Sequence, residues 1–149
     1  MSHSDEPSRV VLVVEDEPLV RLLAAEVLLD SGFRVIEAAN AAEALKILHA
    51  GVQIDVLLAD VDMPPGINGY ALAQQVHGLW PVIEILLMSG RRWPGEGDLP
   101  PGAQFLPKPC PNGVMVAQVR AAAERARAGR NDSSERGGGA QVVPFPKTG

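Results

Sequence analysis

One cysteine, Cys110, stands in 149 residues, so no internal disulfide can form and a cytoplasmic protein is expected. Long apolar runs are missing too. No stretch approaches the roughly 18 to 20 consecutive apolar residues that a membrane span needs. The start, MSHSDEPSR, is polar and acidic and lacks the apolar core of a signal peptide. Positive charge is in deficit: 13 Lys and Arg face 18 Asp and Glu, for a net charge of −5. That balance argues against a nucleic-acid partner or an anionic membrane surface. There is no His or Cys cluster with zinc-ligand spacing, and His3, His49 and His77 read as scattered surface residues. Helix-forming residues are scarce in RRWPGEGDLPPGAQ (91–104), which is rich in Pro and Gly.

What is present is a set of short aliphatic runs. RVVLVVE (9–15) is continuously apolar and β-branched up to its terminal glutamate, as suits a strand buried on both faces. FRVIEA (33–38), IDVLLA (54–59), VIEILLM (82–88) and AQFLP (103–107) predict four more strands. Helical spacing follows most of them. Pro18 opens a helix carrying Val20, Leu23, Ala24 and Val27 toward a stop at Gly32. Asn40 with Glu43 resembles a helix cap ahead of Leu45 and Leu48. Asn68 caps a helix carrying Leu72, Val76 and Leu79, and Asn112 one carrying Val116, Val119 and Ala123 toward Ala128. Alternating strands and helices imply an α/β doubly wound parallel sheet with helices on both faces. The fourth helix, between residues 90 and 105, should be very short or absent. Residues 1–8 are expected to be a disordered start, 9–128 the domain, and 129–149, GRNDSSERGGGAQVVPFPKTG, a disordered tail.

Polar residues fall at the strand ends. Glu15 and Asp16 end the first strand, Asp60 the third, Ser89 the fourth and Lys108 the fifth. Open parallel sheets bind ligands outside the carboxyl ends of their strands. Carboxylates held close together resist joint ionisation, and a hard divalent cation relieves that repulsion. Mg²⁺ suits such a site, because it takes oxygen ligands and keeps several waters. Lys108 supplies a compact charge for a phosphate oxygen, and Ser89 a hydroxyl donor. An aspartate in this company is equipped to accept a phosphoryl group.

Taken in order, VLVVEDEP, DVLLADVDMP, LLMSG and FLPKP resemble the receiver domain of two-component response regulators over roughly residues 9–128. The resemblance implies a five-stranded sheet of flavodoxin-like order 2-1-3-4-5. It implies Asp60 as phosphoacceptor, with Asp16 and Asp60 holding Mg²⁺, Glu15 acting through water, and the backbone carbonyl of Asp62 as a further ligand. Ser89 becomes the switch hydroxyl and Lys108 the phosphate contact, in a Lys-Pro peptide that is often cis. Phe105 becomes the aromatic that changes rotamer with Ser89. The implied partners are a sensor histidine kinase or a histidine phosphotransfer protein. The implied role is that of a stand-alone signalling switch, assisting its own transfer and dephosphorylation, and not of a general enzyme. The chain departs from the family pattern at MPPGINGY, which has an extra residue and Asn68, and at Phe105, where tyrosine is commoner.

Other readings stay open. A phosphorylation-independent binding module would account for the damaged fourth helix. Asp60-Val-Asp62 also resembles the DxD motif of haloacid-dehalogenase-like phosphatases, in which the first Asp attacks and the second acts as acid. That motif belongs on a first strand, whereas here it ends the third. Glu17 reads as a solvated residue at a helix start. Cys110 reads as a small buried hydrophobe. Arg91, Arg92 and Trp93 mark a partner surface, or Trp93 tucks over the missing helix's groove. Trp80 reads as a packed helix end. Asp62 and Arg91, each two residues past a site residue, either pair across the site mouth, where they would slow the approach of water, or are two uncoupled charges.

Overall fold

A computed structural model describes residues 9–135, with side chains described to residue 129. Five strands, β1 (Val10–Val14), β2 (Arg34–Ala38), β3 (Val56–Asp60), β4 (Glu84–Ser89) and β5 (Gln104–Pro107), form one sheet. Their order is β2-β1-β3-β4-β5, and every pairing is parallel. Four helices connect or follow them: α1 (Pro18–Asp30), α2 (Ala41–His49), α3 (Gly69–Leu79) and α4 (Asn112–Glu135). Parallel neighbours cannot be joined by a tight turn, so each crossover climbs over a face of the sheet.

The sheet separates two apolar layers. On one face Leu12, Leu57 and Leu87 pack with Ala44 and Leu48 of α2 and Leu72 and Val76 of α3. On the other Val11, Leu58 and Leu86 pack with Leu28 of α1 and Val119 and Ala123 of α4. All five β1 residues are buried, which is why that strand is aliphatic without alternation.

Local chemistry sets the ends of the elements. Asn40 Oδ1 accepts the Glu43 N–H at 2.9 Å, while Glu43 Oε1 accepts the Ala39 N–H at 2.7 Å, a reciprocal cap. Asn68 Oδ1 accepts the Ala71 N–H at 2.9 Å. Asn112 is the first residue of α4, not its cap, and the Met115 N–H bonds the Pro111 carbonyl. Gly32, at φ 96°, follows α1 in the left-handed conformation that ends helices. Asp55 is structural: its Oδ2 accepts the Val10 N–H at 2.8 Å and fixes the start of β1 beside β3.

No helix forms between β4 and β5, in keeping with the Pro and Gly content of that segment. The last helix runs beyond the expected end near Ala128, to Glu135. Gly129 does not stop it: one interior glycine costs only about 1 kcal/mol, and the helix continues even through the weak helix formers Asn131, Asp132, Ser133 and Ser134. Residues 1–8 and 136–149, where disorder is expected, lie outside the described residues. No helix of the described residues is long and apolar enough to cross a membrane.

Candidate functional site

The carboxyl ends of β1 and β3 lie side by side, with Val14 opposite Ala59. The next residues leave the sheet there. Carboxylate oxygens of Glu15, Asp16 and Asp60 all lie within 4.8 Å of one another. Lys108, just past β5, reaches across to them. Its Nζ donates to Asp60 Oδ1 at 2.9 Å and lies 3.4 Å from Glu15 Oε1. Glu15 and Asp60 are largely buried, with side chains 8% and 10% exposed. Glu15 is also held by the Glu17 N–H at 3.1 Å. These groups face a cavity of about 780 Å³, which Asp62, Arg91 and Arg92 also line.

Burial raises the pKa of Asp60, and the Lys108 hydrogen bond and charge offset that only in part. Burial likewise raises Glu15, against the Glu17 N–H bond and with help from the Asp60 charge. For Lys108 burial acts downward, but the Asp60 hydrogen bond and charge and the Glu15 charge outweigh it, so its pKa rises too. Three carboxyl groups thus share one ammonium. An oxygen-only donor set with no His or Cys fits a hard divalent cation.

Ser89 stands at the margin of this cluster, its Oγ 3.5 Å from Asp62 Oδ2. Asp60 pairs with Met88 in the sheet register, so Ser89, one residue further, points to the opposite face. There it shares the α2–α3 side with Leu87, whose register partner is Phe105. Ser89 Oγ accepts the Arg92 N–H at 2.8 Å and the Arg91 N–H at 3.1 Å. The Phe105 ring lies 5.5 Å from that of Trp93. Trp93 is tilted against Phe105, with an angle of 51° between the rings, and remains 65% exposed. The Lys108–Pro109 peptide is cis, as is Pro64–Pro65.

The expected pairing of Asp62 with Arg91 is not found. Arg92 takes that place, with Nε 2.9 Å from Asp62 Oδ1. Arg91 and Arg92 both follow Ser89, and only the path of the turn decides which one points at Asp62. Sequence reasoning also missed Tyr70, whose hydroxyl donates to the Arg92 carbonyl, and the tight seat of Gly69. A Cβ on Gly69 would lie 2.6 Å from the Asp60 carbonyl oxygen and 2.8 Å from Val61 Cα. Glycine after the Asn68 cap was the available signal. Cys110 is half-buried against the α1–α4 core, and burial raises its thiol pKa. His49 is exposed and His77 half-buried, and His49 packs edge-on against Trp80. His3 lies outside the described residues.

Comparison with known proteins agrees with the fold. The response regulator receiver domain model matches residues 11–120. Sensor kinase CckA of Brucella abortus is 37% identical over 106 residues, which span 68% of this chain but 11% of the kinase. Transcriptional regulatory protein FixJ of Azorhizobium caulinodans is 32% identical over 135 residues, spanning 83% of this chain and 60% of the regulator. The chain thus spans less than two thirds of either relative. The solved receiver domain of hybrid histidine kinase CckA superimposes with a TM-score of 0.66 at 35% identity, covering 76% of this chain and 98% of that domain. With strand order, acidic cluster and family model in agreement, the chain belongs to the response regulator receiver domain family of two-component signalling systems.

Proposed function

We propose that this chain is a phosphorylation-switched cytoplasmic signalling module that accepts a phosphoryl group on Asp60. The donor is a phosphohistidine of a sensor histidine kinase or of a histidine phosphotransfer protein. The observation that carries this reading is the Asp60–Lys108 contact of 2.9 Å inside a cluster of three carboxylates.

Lys108 holds Oδ1 of Asp60, which leaves Oδ2 to attack phosphorus. The new O–P bond forms as the P–N bond of the donor breaks, and the imidazole nitrogen keeps that electron pair. The product is an acyl phosphate on Asp60. Lys108 is placed to take charge that develops on a phosphoryl oxygen. Mg²⁺ would be held by Asp16, Asp60 and the Asp62 carbonyl, with Glu15 acting through water, and would neutralise charge on the transferring oxygens. Hydrolysis of the acyl phosphate resets the module. Ser89 and Phe105, on the opposite face, then carry the change of state outward.

The phosphatase reading loses support, because Asp60-Val-Asp62 ends β3, the third strand of the sheet, and not a first strand. A phosphorylation-independent binding module is favoured by one observation, the sheet register that sets Ser89 on the opposite face from Asp60. One experiment separates the readings. Incubation with Mg²⁺ and acetyl phosphate, followed by intact mass, should add a single phosphate to the wild type and none to Asp60→Asn. Labelling of both places the acceptor elsewhere, and labelling of neither supports the binding module.

A further inference from the structure

Arg92 is tied at three points. Its main-chain N–H donates to Ser89 Oγ at 2.8 Å, its guanidinium Nε lies 2.9 Å from Asp62 Oδ1, and its carbonyl accepts the Tyr70 hydroxyl. One residue therefore joins the end of β4, the loop after β3 and the first turn of α3. Nearby, Gln74 Nε2 donates to the Gly97 and Asp98 carbonyls at 3.1 Å each, so α3 grips the same segment twice. These bonds hold the chain where a helix would otherwise stand.

Ser89 is only 1% exposed. The Arg91 and Arg92 amides fill its acceptor lone pairs. Its own proton has Asp62 Oδ2 at 3.5 Å, the outer limit of a hydrogen bond. That proton is poorly accepted and would gain from a stronger acceptor. Oγ can turn toward one only by loosening two part-buried amide bonds, each of which contributes about 1 kcal/mol.

We propose that Arg92 is a positioning residue whose contacts with Ser89, Asp62 and Tyr70 hold the switch hydroxyl and the β4–β5 segment in a resting arrangement that opposes phosphoryl transfer to Asp60. The proposal rests on the Asp60 reading above. A phosphoryl group adds about 1.5 to 2 negative charges close to Asp62 and competes with it for the guanidinium. Release of Arg92 from Asp62 loosens the amide on Ser89 at the same moment. Any contact made only in the resting arrangement lowers the population ready for transfer. The effect is modest, because the Arg92 side chain is 60% exposed and exposed ion pairs contribute little. Tyr70 is 7% exposed, so its hydroxyl bond contributes more.

The test is the initial rate of labelling by acetyl phosphate with Mg²⁺, read by intact mass. Arg92→Ala and Tyr70→Phe should each raise that rate by about two- to fivefold, in line with the loss of one such contact. Arg92→Lys, which keeps the charge, should fall between the wild type and Arg92→Ala. In a Trp80→Phe background, Trp93 fluorescence of unlabelled Arg92→Ala should shift toward that of the labelled wild type. A merely structural role predicts slower labelling and no such shift. Unchanged or slower labelling in both variants, with a labelled wild type, overturns this proposal alone. A wild type that takes no label ends the Asp60 reading, and this proposal with it.

Discussion

Replacing Lys108 by methionine keeps the side-chain stem and removes the ammonium that faces the acidic cluster. Nζ lies 2.9 Å from Asp60 Oδ1 and 3.4 Å from Glu15 Oε1. At an effective dielectric of about 20, each contact has a Coulomb ceiling of roughly 5 kcal/mol. Desolvation of all three groups takes back much of that. Removing one partner of a buried pair costs about 3–5 kcal/mol, and this site is partly open, so about 2–4 kcal/mol is expected at neutral pH without metal. For a domain of this size that corresponds to a melting temperature lower by roughly 8–16 °C. The pH dependence has a definite sign. Asp60 and Glu15 have folded pKa values raised from 3.8 and 4.5. The stability they contribute is therefore complete below those values and is lost as pH rises through the raised folded ones. Loss of Lys108 raises both further. The gap between wild type and variant should thus be widest near neutrality and close on acidification toward pH 4, where protonated carboxyls need no cation. Thermal melts in EDTA across that range measure it, with Lys46→Met, on exposed helix surface, as the control. Equal melting temperatures near pH 7, or a gap that widens in acid, would show that the ammonium does not compensate these carboxylates.

Gly69→Ala should destabilise by about 1–3 kcal/mol and impair labelling, because the new methyl meets the Asp60 and Val61 backbone. Gly78→Ala, in the same helix with nothing within 4 Å of the new Cβ, should instead be neutral or stabilising, and equal urea midpoints for the two variants would contradict the crowding argument. Mg²⁺ at about 100 times its dissociation constant should stabilise the wild type by about 2.7 kcal/mol, and Asp16→Asn should lose most of that gain. An undiminished thermal shift in Asp16→Asn means that the ion sits elsewhere. Ser89→Ala should cost about 1 kcal/mol without any phosphate, since two part-buried N–H donors lose their acceptor. A change below about 0.5 kcal/mol in chemical denaturation would mean that those amides find water instead.

The parts legible in the sequence share a local cause. Continuous aliphatic runs marked β1 and β3 because both of their faces are covered. The Asn40–Glu43 pair marked a helix start because the cap is made by those residues alone. The Pro and Gly content of 91–104 removed a helix by backbone chemistry. What stayed hidden depends on direction and close approach. Whether Ser89 faces the carboxylates follows from its parity with Leu87, which is fixed only once β4 is known to run through Ser89. Arg91 and Arg92 are indistinguishable until the turn after β4 has a path. The reach of α4 to Glu135 was hidden because Gly129 and the Asn, Asp and Ser residues after it are all weak helix formers.

The location of the acidic cluster follows from topology. After β1 the chain leaves toward the face that holds α1 and α4, and after β3 it leaves toward the face that holds α2 and α3. β1 and β3 are neighbours, so the loops beyond them diverge and open a crevice between adjacent strand ends. Stability alone would line such a crevice with uncharged residues. This chain instead places three carboxylates there and raises the pKa of two of them by burial. Asp55 shows the contrast, since at the other end of the same β3 region its carboxylate accepts a main-chain N–H and serves the fold. Asp60 has no such structural employment. Its company of like charges and one ammonium is a cost to the empty fold, and perturbed groups gathered in a cleft mark function. A hard divalent cation entering the crevice would relieve that repulsion, and Lys108 stands 2.9 Å from Asp60 Oδ1 to meet an accompanying anion.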